Sequence, residues 1–139
     1  MRFSNVRLLT GDFGASYRFW RDVMGLTVAF GPDSPGGVPN YAYLTVGDVG
    51  VELMRPDDFA AALGAPTPAA VPSSLEAVLV LGVDDVDAAY TELVGKGARS
   101  VASPVDRPLW GARTAHIADP DGHLIEIFMR LAPPASMPT

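Results

Sequence analysis

Hydrophobic and polar positions alternate first in "NVRLLTGD" (5–12), which predicts a strand closed by a Gly-Asp break. In "GASYRFWRDVMG" (14–25), Ala15, Phe19 and Val23 recur at four-residue spacing, with Trp20 and Met24 alongside. That spacing predicts an amphipathic helix with Phe19 and Trp20 in the core, and Gly25 stands where helices commonly stop. "LTVAF", "NYAYLTVG" and "VGVELMR" follow as predicted strands, separated by the Pro/Gly-rich loop 31–39 and the tight "GDVG" connection. "DDFAAALG" (57–64) predicts a short helix.

"APTPAAVPSS" then has the composition of a linker, and after it the same order returns. "LEAVLVLGV" predicts a strand. "DDVDAAYTELVGKG" predicts a helix capped by Asp84 or Asp85, with Val86, Tyr90 and Leu93 facing inward. "RSVAS", "GARTAHIA" and "HLIEIFMR" are predicted strands, the last two joined by "DPDG", whose Asp, Pro and Gly fit a type I hairpin turn. Gly25 and Gly97 are 72 residues apart, and Glu52 and Glu126 are 74 apart. This spacing predicts an internal duplication of strand, helix and three strands. The expected layout is one domain over 1–131, with module 1 at about 1–64, a linker at 65–74, module 2 at about 75–131 and a flexible tail at 132–139. The fold class expected is α+β.

Composition narrows the function. The hydrophobic fraction of 48% is that of a folded protein, and the absence of cysteine excludes disulfides and thiolate metal sites. A net charge of −6 argues against nucleic acid as partner. No apolar run approaches the ~18 residues of a membrane span, and "MRFSNVRLL" lacks the apolar core of a signal peptide. The expectation is a soluble cytoplasmic protein with no nucleic-acid or membrane partner. There is also no GxSxG, HExxH or glycine-rich phosphate loop.

Three runs in register, "VRLLTGDFGASYRFWRDVMGL", "VDDVDAAYTELVGKGA" and "PLWGARTAHIADPDGHLIEIF", resemble the vicinal oxygen chelate superfamily. Its members include glyoxalases, bleomycin-resistance proteins, fosfomycin-resistance enzymes and extradiol dioxygenases. The resemblance implies two βαβββ modules whose curved, mostly antiparallel sheets surround a ligand cavity, in a homodimer. It also implies four strand positions for metal ligands, which fall on Asn5, Glu52, Val78 and Glu126. Only the two glutamates match; Asn5 is a weak neutral donor and Val78 cannot bind metal. The expectation is therefore no resident metal.

Several side chains have two open readings. Glu126 alternates with Leu124 and Phe128 on one strand face. There it is either a cavity carboxylate, able to act as base or to anchor a cation, or a solvated residue. Glu52 is its counterpart in the first half. His116 is placed against the ligand by the resemblance to fosfomycin-type members, or is a satisfied wall residue. Arg7 shares a face with Asn5 and either pairs with Glu52 or Glu126 or reaches solvent. Tyr43, beside Tyr41 on one face, and Trp110 are open between core and ligand stacking. His123 is expected to be exposed. The candidate ligand-binding set is Asn5, Arg7, Tyr43, Glu52, Val78, Trp110, His116, Glu126 and Phe128, with Glu126 and His116 catalytic if the protein is an enzyme. The function expected is binding of a small organic ligand without metal, of the drug-binding or resistance type. The alternative is a metal-dependent glyoxalase-like lyase or isomerase, or a dioxygenase.

Overall fold

A computed structural model describes residues 3–64 and 77–132. The predicted linker 65–74, and the predicted tail beyond its first residue, lie outside the described residues. The chain divides into two compact units, Met1–Ser73 and Ser74–Thr139.

The first unit runs β1 (Asn5–Leu9), α1 (Phe13–Arg18), β2 (Thr27–Phe30), β3 (Tyr41–Val46), β4 (Val49–Met54) and α2 (Pro56–Leu63). Its sheet has the order β1-β4-β3-β2, with β1 parallel to β4 and the other pairs antiparallel. Strand alternation sends Leu8, Ala42, Leu44, Val51 and Leu53 to one face, where they are buried. The helix that follows β1 supplies Phe13, Phe19 and Trp20 to the core. Asp12 caps that helix by accepting from the Ala15 N–H at 3.1 Å. The helix does not stay regular to Gly25. Over Phe19–Val23 it widens into a π-helical turn, in which the Met24 N–H donates to the Phe19 carbonyl at 2.9 Å. Neighbouring Phe19 and Trp20 are both buried there.

The second unit repeats the order as β5 (Val78–Gly82), α3 (Val86–Gly95), β6 (Arg99–Arg107), β7 (Ala112–Ala118) and β8 (Leu124–Arg130). Its sheet order, β5-β8-β7-β6, again has one parallel pair, β5 with β8. Asp85 is the cap of α3, accepting from the Ala88 N–H at 3.1 Å. Val86, Tyr90 and Leu93 pack with Ala115 and Ile127, as helical spacing predicts. The "DPDG" turn closes with the Gly122 N–H donating to the Asp119 carbonyl at 2.9 Å. Gly122 has φ 88°, the left-handed conformation that suits glycine.

One strand is longer than the sequence predicts. β6 continues past Ser103 to Arg107, with register shifts between Ser100 and Ala102 and between Ala102 and Val105. Pro104, which has no N–H to donate, falls within those irregularities on an edge strand, where proline is tolerated. Both units are thus βαβββ in an α+β fold. No described helix is long and apolar enough to cross a membrane.

Candidate functional site

In the first unit the ladder sets Arg7 opposite Glu52 and Tyr43 opposite Glu52 from the other side. Alternation puts Asn5, Arg7, Tyr41, Tyr43, Glu52 and Met54 on the face away from the hydrophobic core. Glu52 is nevertheless 6% exposed. A buried carboxylate needs partners, and this one has three. Asn5 Nδ2 donates to Oε1 at 2.6 Å, Arg7 Nε and Nη2 reach the same oxygen at 3.1 and 3.0 Å, and the Tyr41 hydroxyl donates to Oε2. Burial alone would raise the Glu52 pKa, but the hydrogen bonds from Tyr41 and Asn5 and the charge of Arg7 outweigh it and hold it low. Tyr41 is pushed up to about 12 by burial and by its bond to Glu52.

Arg7 thus takes the paired alternative, with Glu52, and its guanidinium lies 5.4 Å from the Phe59 ring centre. Tyr43 does not bond to Glu52. Its ring crosses over Gly50, where an added Cβ would overlap the tyrosine hydroxyl. Tyr41, one of the two tyrosines seen on that face, is the carboxylate partner.

In the second unit His116 lies directly opposite Glu126, and Val80 faces Glu126 from β5. His116 Nε2 and Glu126 Oε1 are 3.0 Å apart, with side chains 12% and 18% exposed. Among the described residues Glu126 Oε2 has no hydrogen-bond partner. Val78, Leu124, Phe128 and Thr114 share this face by alternation, so the carboxylate has apolar neighbours.

Trp110 sits in a 3-10 turn, Pro108–Trp110, and is 59% exposed. The Arg107 guanidinium lies 4.8 Å from its ring centre, and Arg107 Nε donates to the buried Thr114 hydroxyl at 2.9 Å. Sequence reading passed over Arg107. Its one signal was "RPLW", an arginine brought back over a tryptophan by a proline turn.

His123 differs from the expected exposed residue. It is partly buried, with Nδ1 donating to Asp119 Oδ2 at 2.6 Å and its backbone N–H to Oδ1 at 2.8 Å. Asp121 N–H adds a third bond to Oδ1 at 3.0 Å. The short loop between β7 and β8 folds the histidine back onto Asp119, and that hydrogen bond raises its pKa despite burial.

The ladders also test the metal positions. Asn5 pairs with Gly50 and Val78 with Leu124, each partner two residues before a glutamate. The four positions are therefore true counterparts in the two sheets. Their donors do not fit a divalent ion of the family type. Val78 offers none, and Glu52 holds a guanidinium at 3.0 Å that would repel a cation. Among the described residues Asp119, Asp121 and His123 do bring ligand atoms within 4.8 Å of one another. There, however, both Asp119 oxygens are already engaged in the turn.

The family model for the Glyoxalase/Bleomycin resistance protein/Dioxygenase superfamily matches residues 2–127. The uncharacterized protein YraH of Bacillus subtilis (strain 168) is 34% identical over 137 residues, covering 94% of this chain and all of that protein. A glyoxalase/bleomycin resistance protein/dioxygenase from Nocardioides superposes with TM-score 0.80 at 24% identity, covering 100% of this chain and 89% of that one. Lactoylglutathione lyase from Agrobacterium tumefaciens gives 0.68 at 22% identity, covering 91% and 92%. At these identities the two structures speak to the fold alone. With one family match running through both βαβββ units, and a glutamate at the same ladder position in each, the chain belongs to the Glyoxalase/Bleomycin resistance protein/Dioxygenase superfamily.

Proposed function

We propose that this chain binds a small organic ligand without a resident metal, as a drug-binding or resistance-type member of its superfamily. The observation that carries the reading is the Arg7–Glu52 pair, which sets a fixed positive charge against a carboxylate at a family metal position. In the second unit Glu126 keeps an oxygen without a partner among the described residues, beside Val78, Val80 and Phe128, which suits an apolar ligand with one polar donor. In this reading Trp110, Tyr43 and Asn5 add stacking and hydrogen-bonding surface, and the protein acts in the cytoplasm as a homodimer with neither nucleic acid nor membrane as partner.

Metal analysis of the purified protein tests the proposal, followed by thermal shift with Zn, Ni, Mn and Fe(II). A stoichiometric ion, or clear stabilisation by a low concentration of one, would overturn it and favour the metal-dependent lyase, isomerase or dioxygenase alternative. A thermal-shift screen of glycopeptide and aromatic antibiotics then looks for the ligand. A hit weakened by Glu126→Gln places that carboxylate in the site, and an unchanged affinity removes it.

The His116–Glu126 contact at 3.0 Å favours one second reading, a metal-free enzyme using this pair as general acid and base. Turnover lost in Glu126→Gln while binding survives would select it.

A further inference from the structure

We propose that Arg107 is an anion-recognition residue and that the ligand is a flat aromatic carboxylate. The inference rests on the reading above that a small ligand binds beside Glu126 in the second unit. Four described arginines are partly buried: Arg21, Arg55, Arg107 and Arg113. Three of them pair with a carboxylate, and Arg107 alone does not among the described residues. A partly buried guanidinium is less favourable without a counter-charge than with one, and an incoming anion would supply that partner.

Its geometry is that of a fixed fork. Nε is tied to the Thr114 hydroxyl at 2.9 Å, and the plane is flanked by Trp110 at 4.8 Å. Among the described residues neither terminal nitrogen has a hydrogen-bond partner, the arrangement that grips a carboxylate through two parallel hydrogen bonds. Thr114 and His116 lie two residues apart on β7, on the same face, with Phe128 opposite Thr114 and Glu126 opposite His116. Two strand residues span roughly 7 Å, about the length of a substituted benzoate. An aromatic acid with its carboxylate on Arg107 would thus lay its ring near Phe128 and turn its far end toward the His116–Glu126 pair. A hydroxyl there would meet the Glu126 oxygen that has no partner among the described residues.

The test uses the full chain, with para-hydroxybenzoate and hydroxynaphthoate as probes and their neutral amides as matched controls. Binding is read from tryptophan emission. Trp20 is buried, so a ligand-dependent change reports on Trp110, and Trp110→Phe should abolish it. The expected result is saturable binding of at least one acid, tighter than its amide by about tenfold or more, as loss of a charge-assisted bond implies. Arg107→Gln should erase the preference, and Arg107→Lys, which keeps the charge but not the fork, should restore it only in part. Thermal melts of each variant verify folding, and the Lys variant keeps the test alive should Gln destabilise the chain.

No saturable binding of either acid, equal affinity for acid and amide, or undiminished binding by Arg107→Gln would each overturn the proposal. Any other ligand that binds through Glu126 while ignoring Arg107 would overturn it too, yet leave the metal-free binding role standing. A stoichiometric metal would remove that role while the acid titration still reports on Arg107.

Discussion

Replacing Arg7 by methionine removes the guanidinium while keeping an apolar stem of similar length over Phe59. Glu52 would retain Asn5 and Tyr41 but lose its only cationic partner among the described residues. Breaking a fully buried pair typically costs about 3–5 kcal/mol. Here the Arg7 side chain is 41% exposed, and water screens much of the attraction, so the expected loss is about 1–2 kcal/mol. At this chain length that lowers the melting temperature by about 3–6 °C.

The pH dependence sharpens the test. Glu52 is held below its ordinary pKa, so it contributes stability above its unfolded value of about 4.3 and loses it as pH falls through the folded value. Without Arg7 that depression shrinks. The deficit of Arg7→Met relative to the parent should therefore be largest at neutral pH and narrow as acid protonates Glu52. Urea unfolding at neutral and mildly acidic pH, for Arg7→Met, Glu52→Gln and the double variant, measures both the deficit and the coupling. A coupling energy indistinguishable from zero, or a deficit that ignores pH, would refute the pairing as a stabilising contact.

Asp119 should set a second pH dependence. His123 has a raised folded pKa, so its stabilisation is full below the unfolded value of about 6.5 and is lost as pH rises through the folded one. Asp119→Asn should lower the melting temperature and flatten its decline above neutrality; an unaltered profile would separate His123 from that decline. Gly50→Ala should force Tyr43 off β4 at a cost of about 1–3 kcal/mol, since the new methyl overlaps its hydroxyl. Amide and ring NMR shifts at Tyr43, with chemical unfolding, check this, and unchanged shifts would refute the crossing.

Most of the architecture was legible because apolar spacing tracks helix and strand so directly: Val86, Tyr90 and Leu93 behave as helical periodicity predicts. The irregular pieces were not. Nothing in "FWRDV" marks a π turn, and Pro104 hid the second half of β6 because a proline ordinarily argues against a strand. Within the site, parity along the strands was enough to offer Glu52 as a partner for Arg7. It could not rank Tyr41 over Tyr43, because that choice depends on how each ring leans along the sheet. Arg107 and His123 were missed as polar contacts because their partners are reached only after a turn reverses the chain.

The placement of the two glutamates bears on how each sheet aligns its strands. Glu52 is the sole ionisable side chain in β4, between Val51 and Leu53, which belong to the core. A one-residue slip of β4 would drive that carboxylate into the hydrocarbon layer and expose its two neighbours, a doubly unfavourable misalignment. Glu126 stands the same way between buried Ile125 and Ile127 in β8. A lone acid inside a greasy central strand thus works as a registration mark, penalising every odd-numbered frame shift before any ligand is met.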